Sequence, residues 1–271
     1  MMKIGNRQFD VEHDCYVMGI LNVTPDSFSD GGKWNDLETA KRHTAQMLEE
    51  GASIIDIGGE STRPGHVQIS DQEEIDRVLP MIEMVKSSFD VPVSIDSYKS
   101  PVVEAALKAG ADLVNDIWGL KYDRKVADLI ARYQVSCVLM HNREKAEYHN
   151  FLDDMCQDMR DSLAIAKSAG IQDSKIILDP GVGFGKNDEH NLAAVCHLER
   201  LVELGYPVLL ATSRKGFIGR ALDLPVDQRV EGTIVTTVIG VQKKAAFVRV
   251  HDVKENLRAI RMTQAIIREG R

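Results

Sequence analysis

Basic runs, paired cysteines and long apolar segments are all missing from this 271-residue chain. The formal net charge is −8 and no Lys/Arg run reaches five residues, so the sequence gives no sign of a basic surface for nucleic acid or an anionic membrane. The four cysteines form no Cys-x-x-Cys pair, which favours free thiols in a reducing compartment. No window approaches the ~20 apolar residues of a membrane span, and residues 1–10 lack the apolar stretch typical of a signal peptide. We therefore expect a cytoplasmic protein that holds any anionic ligand with local cations.

Short apolar runs rich in β-branched residues alternate with longer segments of helical period. Such runs are typical of parallel strands, because helices cover one face and a packed interior the other. Eight of them occur, at residues 15–21, 53–57, 91–95, 112–114, 135–140, 175–178, 206–211 and 246–250. Eight β-then-α units in about 250 residues predict a (β/α)8 TIM barrel, with a doubly wound open sheet as the alternative. With no linker in the sequence, we expect a single domain over residues 1–271, and a hairpin at 2–12 that plugs the barrel floor.

Helix boundaries are marked by residues of known capping chemistry. Ser70 followed by Glu73 resembles a capping box at a helix start. Pro80 lies inside the apolar stripe that follows and should kink or break that helix. Glycines end the predicted helices, because they adopt the left-handed conformation of a C-terminal cap; they are Gly51, Gly110, Gly170 and Gly205.

Polar residues end nearly every predicted strand, where strand propensity would not select them. They are Asn22, Asp56 with Glu60, Asp96, Asn115 with Asp116, His141, Asp179, Ser213 with Lys215, and Arg249 with His251. In a barrel these ends converge on one mouth. A helix N-cap explains any single Asp or Asn equally well, but Lys, Arg and His are poor N-caps. The pattern as a whole therefore predicts a ligand site at the mouth.

The charges in this set suggest two kinds of ligand chemistry. Lys215, Arg249 and His251 follow the last two strands, where barrel enzymes commonly hold phosphate, and Arg63 adds a further cation. This cluster suits a phosphate or diphosphate. The acceptor set Asp96, Asn115 and Asp179 suits a ligand edge rich in N–H groups, such as an amino-substituted heteroaromatic ring.

Loops rich in turn residues flank the predicted site. Residues 22–32 and 58–65 are predicted to be mobile lids. The run Gly181 to Lys186 contains three glycines but matches neither a Walker loop nor a dinucleotide fingerprint, so neither ATP nor NAD is implied. Six of the histidines lack metal-ligand spacing, and we interpret them as surface or core residues: His13, His43, His66, His149, His190 and His197.

The same residues, in this order, resemble the dihydropteroate synthase family of folate biosynthesis along essentially the whole chain. The matching strings are NVTPDSFSDGG at 22–32, DIGGESTRPG at 56–65, SIDS at 94–97, NDI at 115–117, LDPGVGFG at 178–185, SRK at 213–215 and RVHD at 249–252. Members of this family condense 6-hydroxymethyl-7,8-dihydropterin diphosphate with p-aminobenzoate, release pyrophosphate and use Mg²⁺. Sulfonamide drugs compete at their p-aminobenzoate pocket.

The resemblance implies a role for each matching residue. The pterin edge would meet Asp96, Asn115, Asp179 and Lys215, and the ring would pack among Ile117, Met140, Gly183, Phe184 and the Arg249 guanidinium. Asn22, Arg249 and His251 would meet the diphosphate, with Asn22 also reaching the metal and Asp30 near a developing cation. The p-aminobenzoate pocket would be formed by Phe28, Thr62, Arg63, Pro64 and Ser213. The resemblance also implies a homodimer, with helices near the C-terminus as plausible faces.

The resemblance has one departure and two rivals. After the fifth strand the family often has Met-His-Met and a Gly-containing loop, where this chain reads Met140-His141-Asn142-Arg143-Glu144. A methyltetrahydrofolate-binding methyltransferase barrel would share Asp96 and Asn115 but has no use for the STRPG and SRK strings. A non-catalytic pterin-binding barrel would not be expected to keep the loop and mouth residues.

Overall fold

A computed structural model of the protein describes residues 1–23, 32–61 and 67–270, with the backbone alone for residues 32–36. In the described residues ten strands are formed. They are β1 Met2–Ile4, β2 Arg7–Phe9, β3 Tyr16–Asn22, β4 Ile54–Gly58, β5 Val93–Asp96, β6 Leu113–Asp116, β7 Ser136–Met140, β8 Ile176–Asp179, β9 Leu209–Leu210 and β10 Phe247–Val250. All eight predicted strand runs are present, although the seventh is reduced to the two residues of β9.

Strands β3 to β10 form one parallel sheet that curves into a barrel. Their order is β8-β7-β6-β5-β4-β3-β10-β9, and a parallel bridge between Leu178 and Val208 joins the two ends of this order. Most of the core strands are buried along their whole length, as the two-sided apolar runs predicted. The (β/α)8 barrel is therefore confirmed and the open-sheet alternative is wrong.

Helices separate the strands and pack outside the barrel. The described residues form α1 Gly32–Glu49, α2 Asp71–Ser88, α3 Ser100–Lys108, α4 Lys125–Tyr133, α5 Phe151–Ser168, α6 Asp188–Cys196, α7 Glu199–Val202, α8 Gly216–Leu222, α9 Val230–Gln242 and α10 Val253–Glu269. Short 3₁₀ turns occur at Asp173–Lys175 and Val226–Gln228. No described helix is both long enough and apolar enough to cross a membrane.

The predicted helix boundaries are largely confirmed. Ser70 caps α2 by accepting a hydrogen bond from the Glu73 amide at 3.2 Å. Gly51, Gly110, Gly170 and Gly205 all have positive φ, between 88° and 101°. Of the predicted kink or break at Pro80, the break is wrong, since α2 continues through this residue to Ser88. Pro80 is exposed, so the carbonyl that it deprives of a partner can bond to water while the apolar face stays packed.

The N-terminal hairpin of β1 and β2 closes one end of the barrel. Met2, Ile4 and Phe9 are buried against inward-facing strand residues such as Met18 and Phe247. The rings of Phe9 and Phe247 lie 5.6 Å apart. This cluster includes strand residues at the amino ends of the barrel strands, so it confirms the predicted floor plug and leaves the carboxyl ends to form the mouth.

Candidate active site

Buried charged side chains meet at the mouth of the barrel, contributed by strands far apart in sequence. The central group is the guanidinium of Arg249 on β10. Its Nε donates to Oδ2 of Asp56 on β4 at 2.5 Å, and its Nη2 donates to Oδ2 of Asp96 on β5 at 2.6 Å. The Asn115 amide on β6 lies 3.5 Å from the same Asp56 oxygen. Four strands thus converge on one cluster, as parallel strands in a barrel require.

Two carboxylates share one guanidinium here, so Arg249 alone cannot balance both of them if both are ionised. Asp56 is fully buried and the Asp96 side chain is 10% exposed. Burial raises the pKa of Asp96, and the nearby Asp56 carboxylate raises it further against the opposing effect of Arg249. The Oδ1 atoms of both residues lack a hydrogen-bond partner among the described residues. Asp96 therefore presents an unused buried acceptor, which a ligand N–H group could satisfy.

Lys215 and Asp179 form a second part of the mouth. The Lys215 ammonium donates to the Val182 carbonyl and lies 4.8 Å from the centroid of the Phe184 ring. Burial lowers the pKa of Lys215 to about 8, although the Asp179 carboxylate opposes that effect. Asp179 is itself buried, and its Oδ1 accepts from the Gly181 amide at 2.7 Å.

An apolar wall stands beside these charges. Ile117, Met140 and Phe184, three of the residues expected around a ring, gather in one cluster. The same cluster contains Tyr98 and Trp118, which were not predicted from the sequence to belong to the site. Their positions gave a signal, because Tyr98 directly follows the SIDS string and Trp118 directly follows NDI.

The remaining described site residues lie at the ends of β3, β9 and β10. The Ser213 hydroxyl is 2.9 Å from Nδ1 of His251 and accepts from the His251 amide at 3.1 Å. Asn22 ends β3 and is exposed. A Cβ placed on the adjacent Gly58 would lie 3.7 Å from the Asn22 Oδ1 and 3.6 Å from the Asp96 Oδ2. Both side-chain oxygens therefore lie beside this glycine.

Five predicted site residues lie outside the described residues. They are Phe28, Asp30, Thr62, Arg63 and Pro64.

Three sequence-based assignments change in the structure. Arg249 does not stand apart from the acids as part of a separate cation cluster, but lies between Asp56 and Asp96. Asp116 serves its own turn, accepting from the amides of Trp118 and Leu120. His141 is fully buried and bonds to Asp158 on α5 at 2.9 Å. Asp56 was predicted to lie at the mouth but was given no specific role, and the structure shows that it pairs with Arg249.

A buried ion cluster anchors the second loop beside the mouth. Lys99 is 4% exposed, and its ammonium lies 2.6 Å from Glu60 and 2.8 Å from Glu74. It also donates to the Ile69 carbonyl at 2.9 Å, while Glu60 accepts from the Ile69 amide at 3.0 Å. Both backbone groups of Ile69 are therefore held. The sequence did not predict this cluster, because Glu74 and Lys99 look like ordinary surface residues of their helices.

The fold and the mouth together define a class of protein: an α/β-barrel enzyme whose site combines buried acceptors, cations and an apolar wall. A profile of the pterin binding enzyme family matches residues 18–251. A dihydropteroate synthase of Clostridium beijerinckii is 57% identical over 268 residues, which cover 98% of this chain and 100% of that protein.

Two solved structures agree with that match. A dihydropteroate synthase of Clostridium difficile, crystallised in the presence of pteroic acid, has a TM-score of 0.93 at 49% identity and covers 96% of this chain and 99% of its own. A Xanthomonas albilineans dihydropteroate synthase with 4-aminobenzoic acid has a TM-score of 0.90 at 40% identity, with 94% and 93% covered. This chain belongs to the pterin-binding enzymes and, within them, to the dihydropteroate synthase family.

Proposed function

We propose that this protein joins 6-hydroxymethyl-7,8-dihydropterin diphosphate to p-aminobenzoate, giving 7,8-dihydropteroate and pyrophosphate in folate biosynthesis. The main support is that Asp96, Asp179, Lys215 and Arg249 converge at the mouth of the barrel, in a chain that belongs to this family. The relatives crystallised with pteroic acid and with 4-aminobenzoic acid support the same substrates.

The pterin ring would bind between the acceptors and the apolar wall. Asp96 and Asp179 are buried carboxylates that can accept from the amino and ring N–H groups, and Asn115 can both donate and accept. Lys215 would donate to the ring edge, and the planar Arg249 guanidinium would stack on the ring face. Ile117, Met140, Gly183 and Phe184 would complete the ring pocket.

The diphosphate would meet Asn22, Arg249 and His251 at the outer rim, with Mg²⁺ beside it. The side-chain oxygens of Asn22 and Asp96 both lie beside Gly58, and they are hard ligands of the kind that Mg²⁺ prefers. Mg²⁺ commonly uses one or two protein ligands and takes the rest from water and substrate phosphates, so one amide oxygen suffices. When bound, the ion would supply charge neutralisation of the leaving diphosphate.

In the reaction the exocyclic C–O bond of the pterin breaks, a C–N bond forms to the aromatic amine, and the amine loses a proton. We favour ionisation first, because the electron-rich ring can carry positive charge and Arg249 can stabilise the departing anion. Asp30 would lie near that cation, and closure of the first two loops would exclude water. Pyrophosphate release without any amine would support this order, whereas strict dependence of C–O cleavage on amine concentration would count against it.

The p-aminobenzoate pocket would be formed by Phe28, Thr62, Arg63, Pro64 and Ser213. Of these, Ser213 is described, 7% exposed and hydrogen-bonded to His251. This contact would link the amine pocket to the anion site through one side chain.

We also propose a homodimer in the cytoplasm. Exposed apolar side chains on α9 and α10 support the dimer, namely Val235, Met262 and Ile266, each at least 57% exposed. Burial of such side chains against a second copy would remove apolar area from water. The four free thiols fit a reducing compartment.

The function is tested by incubating the protein with Mg²⁺, the pterin diphosphate and p-aminobenzoate. We expect pyrophosphate release matched by dihydropteroate, competitive inhibition by a sulfonamide, and loss of both products with Lys215→Ala but not with Lys108→Ala, the same change at an exposed site on α3. A methyltetrahydrofolate-binding barrel would instead bind that folate and release no pyrophosphate. A non-catalytic barrel would bind the pterin without turnover.

A further inference from the structure

Three glycines in the loop that follows β8 allow this loop to pack closely between the loop after β7 and Lys215. Gly181, Gly183 and Gly185 all have left-handed φ, at 66°, 91° and 54°. A Cβ on Gly181 would lie 1.8 Å from the His141 carbonyl oxygen, and one on Gly185 would lie 2.3 Å from that of Arg143. A Cβ on Gly183 would instead lie 3.2 Å from the Lys215 side chain. This glycine loop, residues 181–185, thus lies against the β7 loop on one side and Lys215 on the other.

Lys186 fastens the end of the glycine loop to the interior. Its ammonium lies 2.7 Å from Nδ1 of His141 and donates to the Phe184 carbonyl at 3.0 Å. Burial lowers the pKa of Lys186 to about 7. In its protonated form Lys186 offers only donors, so His141 Nδ1 then accepts and Nε2 carries the proton. That Nε2 is 2.9 Å from Asp158 Oδ2. Burial lowers the pKa of His141 to about 4, which keeps the imidazole neutral as this chain of hydrogen bonds requires.

Residues of the β7 loop strengthen the same contact. Arg143 Nε donates to Asp158 at 2.6 Å, and its guanidinium lies 4.4 Å from the Tyr148 ring centroid. The Tyr148 hydroxyl in turn donates to the Gly185 carbonyl at 2.7 Å. Arg143, in the stretch that departs from the family pattern, and Tyr148 beyond it therefore both contact the glycine loop.

We propose that Lys186 is a positioning residue for the pterin ring. Acting through His141 and Asp158, it holds the glycine loop so that the Phe184 ring stays 4.8 Å from the Lys215 ammonium. Its own donors go to protein acceptors, so its effect on the ring passes through Phe184 and Lys215. This role rests on the proposed function, because it presumes that the ring binds against those two side chains.

The test is Lys186→Met, which keeps the length of the side chain and removes its donors. Binding of 6-hydroxymethyl-7,8-dihydropterin, the ring without its diphosphate, is measured by calorimetry. We expect a Kd at least 10-fold higher, while the KM for p-aminobenzoate at saturating pterin diphosphate stays within 2-fold. Lys108→Met, the same change on the exposed face of α3, should leave both values unchanged.

A double-mutant cycle tests the route of the effect. His141→Phe should weaken ring binding by a factor similar to that of Lys186→Met, and the double variant should be no weaker than either single one. If the fold-increases in Kd of the two single variants multiply in the double variant, Lys186 does not act through His141. An unchanged Kd, or equal losses for ring and amine, would overturn the positioning role.

A milder variant covers the case in which Lys186→Met does not fold. Tyr148→Phe removes only the hydroxyl that holds Gly185, and we expect a 2-fold to 5-fold rise in the ring Kd. No change in a folded Tyr148→Phe would again overturn the role. Wild-type protein that makes no dihydropteroate would overturn the proposed function and this inference together, whereas active wild-type protein with unaffected variants overturns the inference alone.

Discussion

Replacing Lys215 by Met should stabilise the protein while it damages the site. Burial lowers the pKa of Lys215 to about 8, so the native state holds its ammonium at a cost. Between pH 8 and the ordinary lysine pKa of about 10.4, the unfolded chain binds more protons than the native one, and wild-type stability therefore rises with pH. The difference in pKa corresponds to a penalty of about 3 kcal/mol at pH 7 and about 2 kcal/mol at pH 9.

The variant removes this penalty and loses one contact. Met keeps an unbranched chain beside Phe184, but the Val182 carbonyl loses its donor, which costs about 1 kcal/mol. We expect the variant to be more stable by about 2 kcal/mol at pH 7 and about 1 kcal/mol at pH 9. Urea unfolding at the two pH values measures both gaps. A variant less stable than wild type at pH 7, or a gap that widens with pH, would refute the reasoning.

Activity should move in the opposite direction. A hydrogen bond from a charged donor to the pterin edge contributes about 1.5–3 kcal/mol, so kcat/KM for the pterin substrate should fall by about 10-fold to 150-fold. Such an exchange of stability for function is common where a site holds a strained or buried charge. Lys108→Met serves as the control for both measurements. Near-normal kinetics in the Lys215 variant would remove this side chain from the site.

Three further predictions concern neighbouring features. Asp56→Asn keeps an acceptor for Arg249 but removes a buried charge. Steady-state kinetics should show kcat/KM lowered by about 10-fold with the fold intact. Unchanged kinetics would mean that Asp56 does not orient Arg249. Gly181→Ala should lower the free energy of unfolding by more than about 2 kcal/mol in thermal unfolding. The control is Gly170→Ala, at a glycine that also has positive φ but no atoms within 4 Å of its Cβ position, and it should cost about 1 kcal/mol. Equal losses would mean that the contact with His141 is unimportant. Burial lowers the pKa of His141 to about 4, so this imidazole should stay neutral in NMR titrations of the native protein above pH 5. The free energy of unfolding should fall as the pH drops from about 6.5 toward 4, because the unfolded state binds the proton first. Protonation of His141 near pH 6.5 in the native protein would contradict this.

Local patterns predicted the architecture well because each part depends on nearby residues. Two-sided apolar runs identified all eight barrel strands, and left-handed glycines such as Gly110 and Gly170 ended helices where expected. Pro80 does not break α2, because Val78 and Ile82 pack on the opposite face and keep the helix continuous past the missing backbone donor. The seventh strand was overestimated, because Pro207 lies in the predicted run and lacks a backbone donor.

The order of polar residues along the chain determined which side chains the mouth could contain, since the ends of parallel strands must meet in a closed barrel. Only the tertiary structure decided which of them pair. The contacts of Arg249 with Asp56 and Asp96 join residues 193 and 153 positions apart, and that of Lys186 with His141 joins two loops. The positions of the strand ends determine which side chains can lie around the mouth. The distances between those side chains, their burial and their electrostatic coupling arise only when the barrel closes and removes them from water.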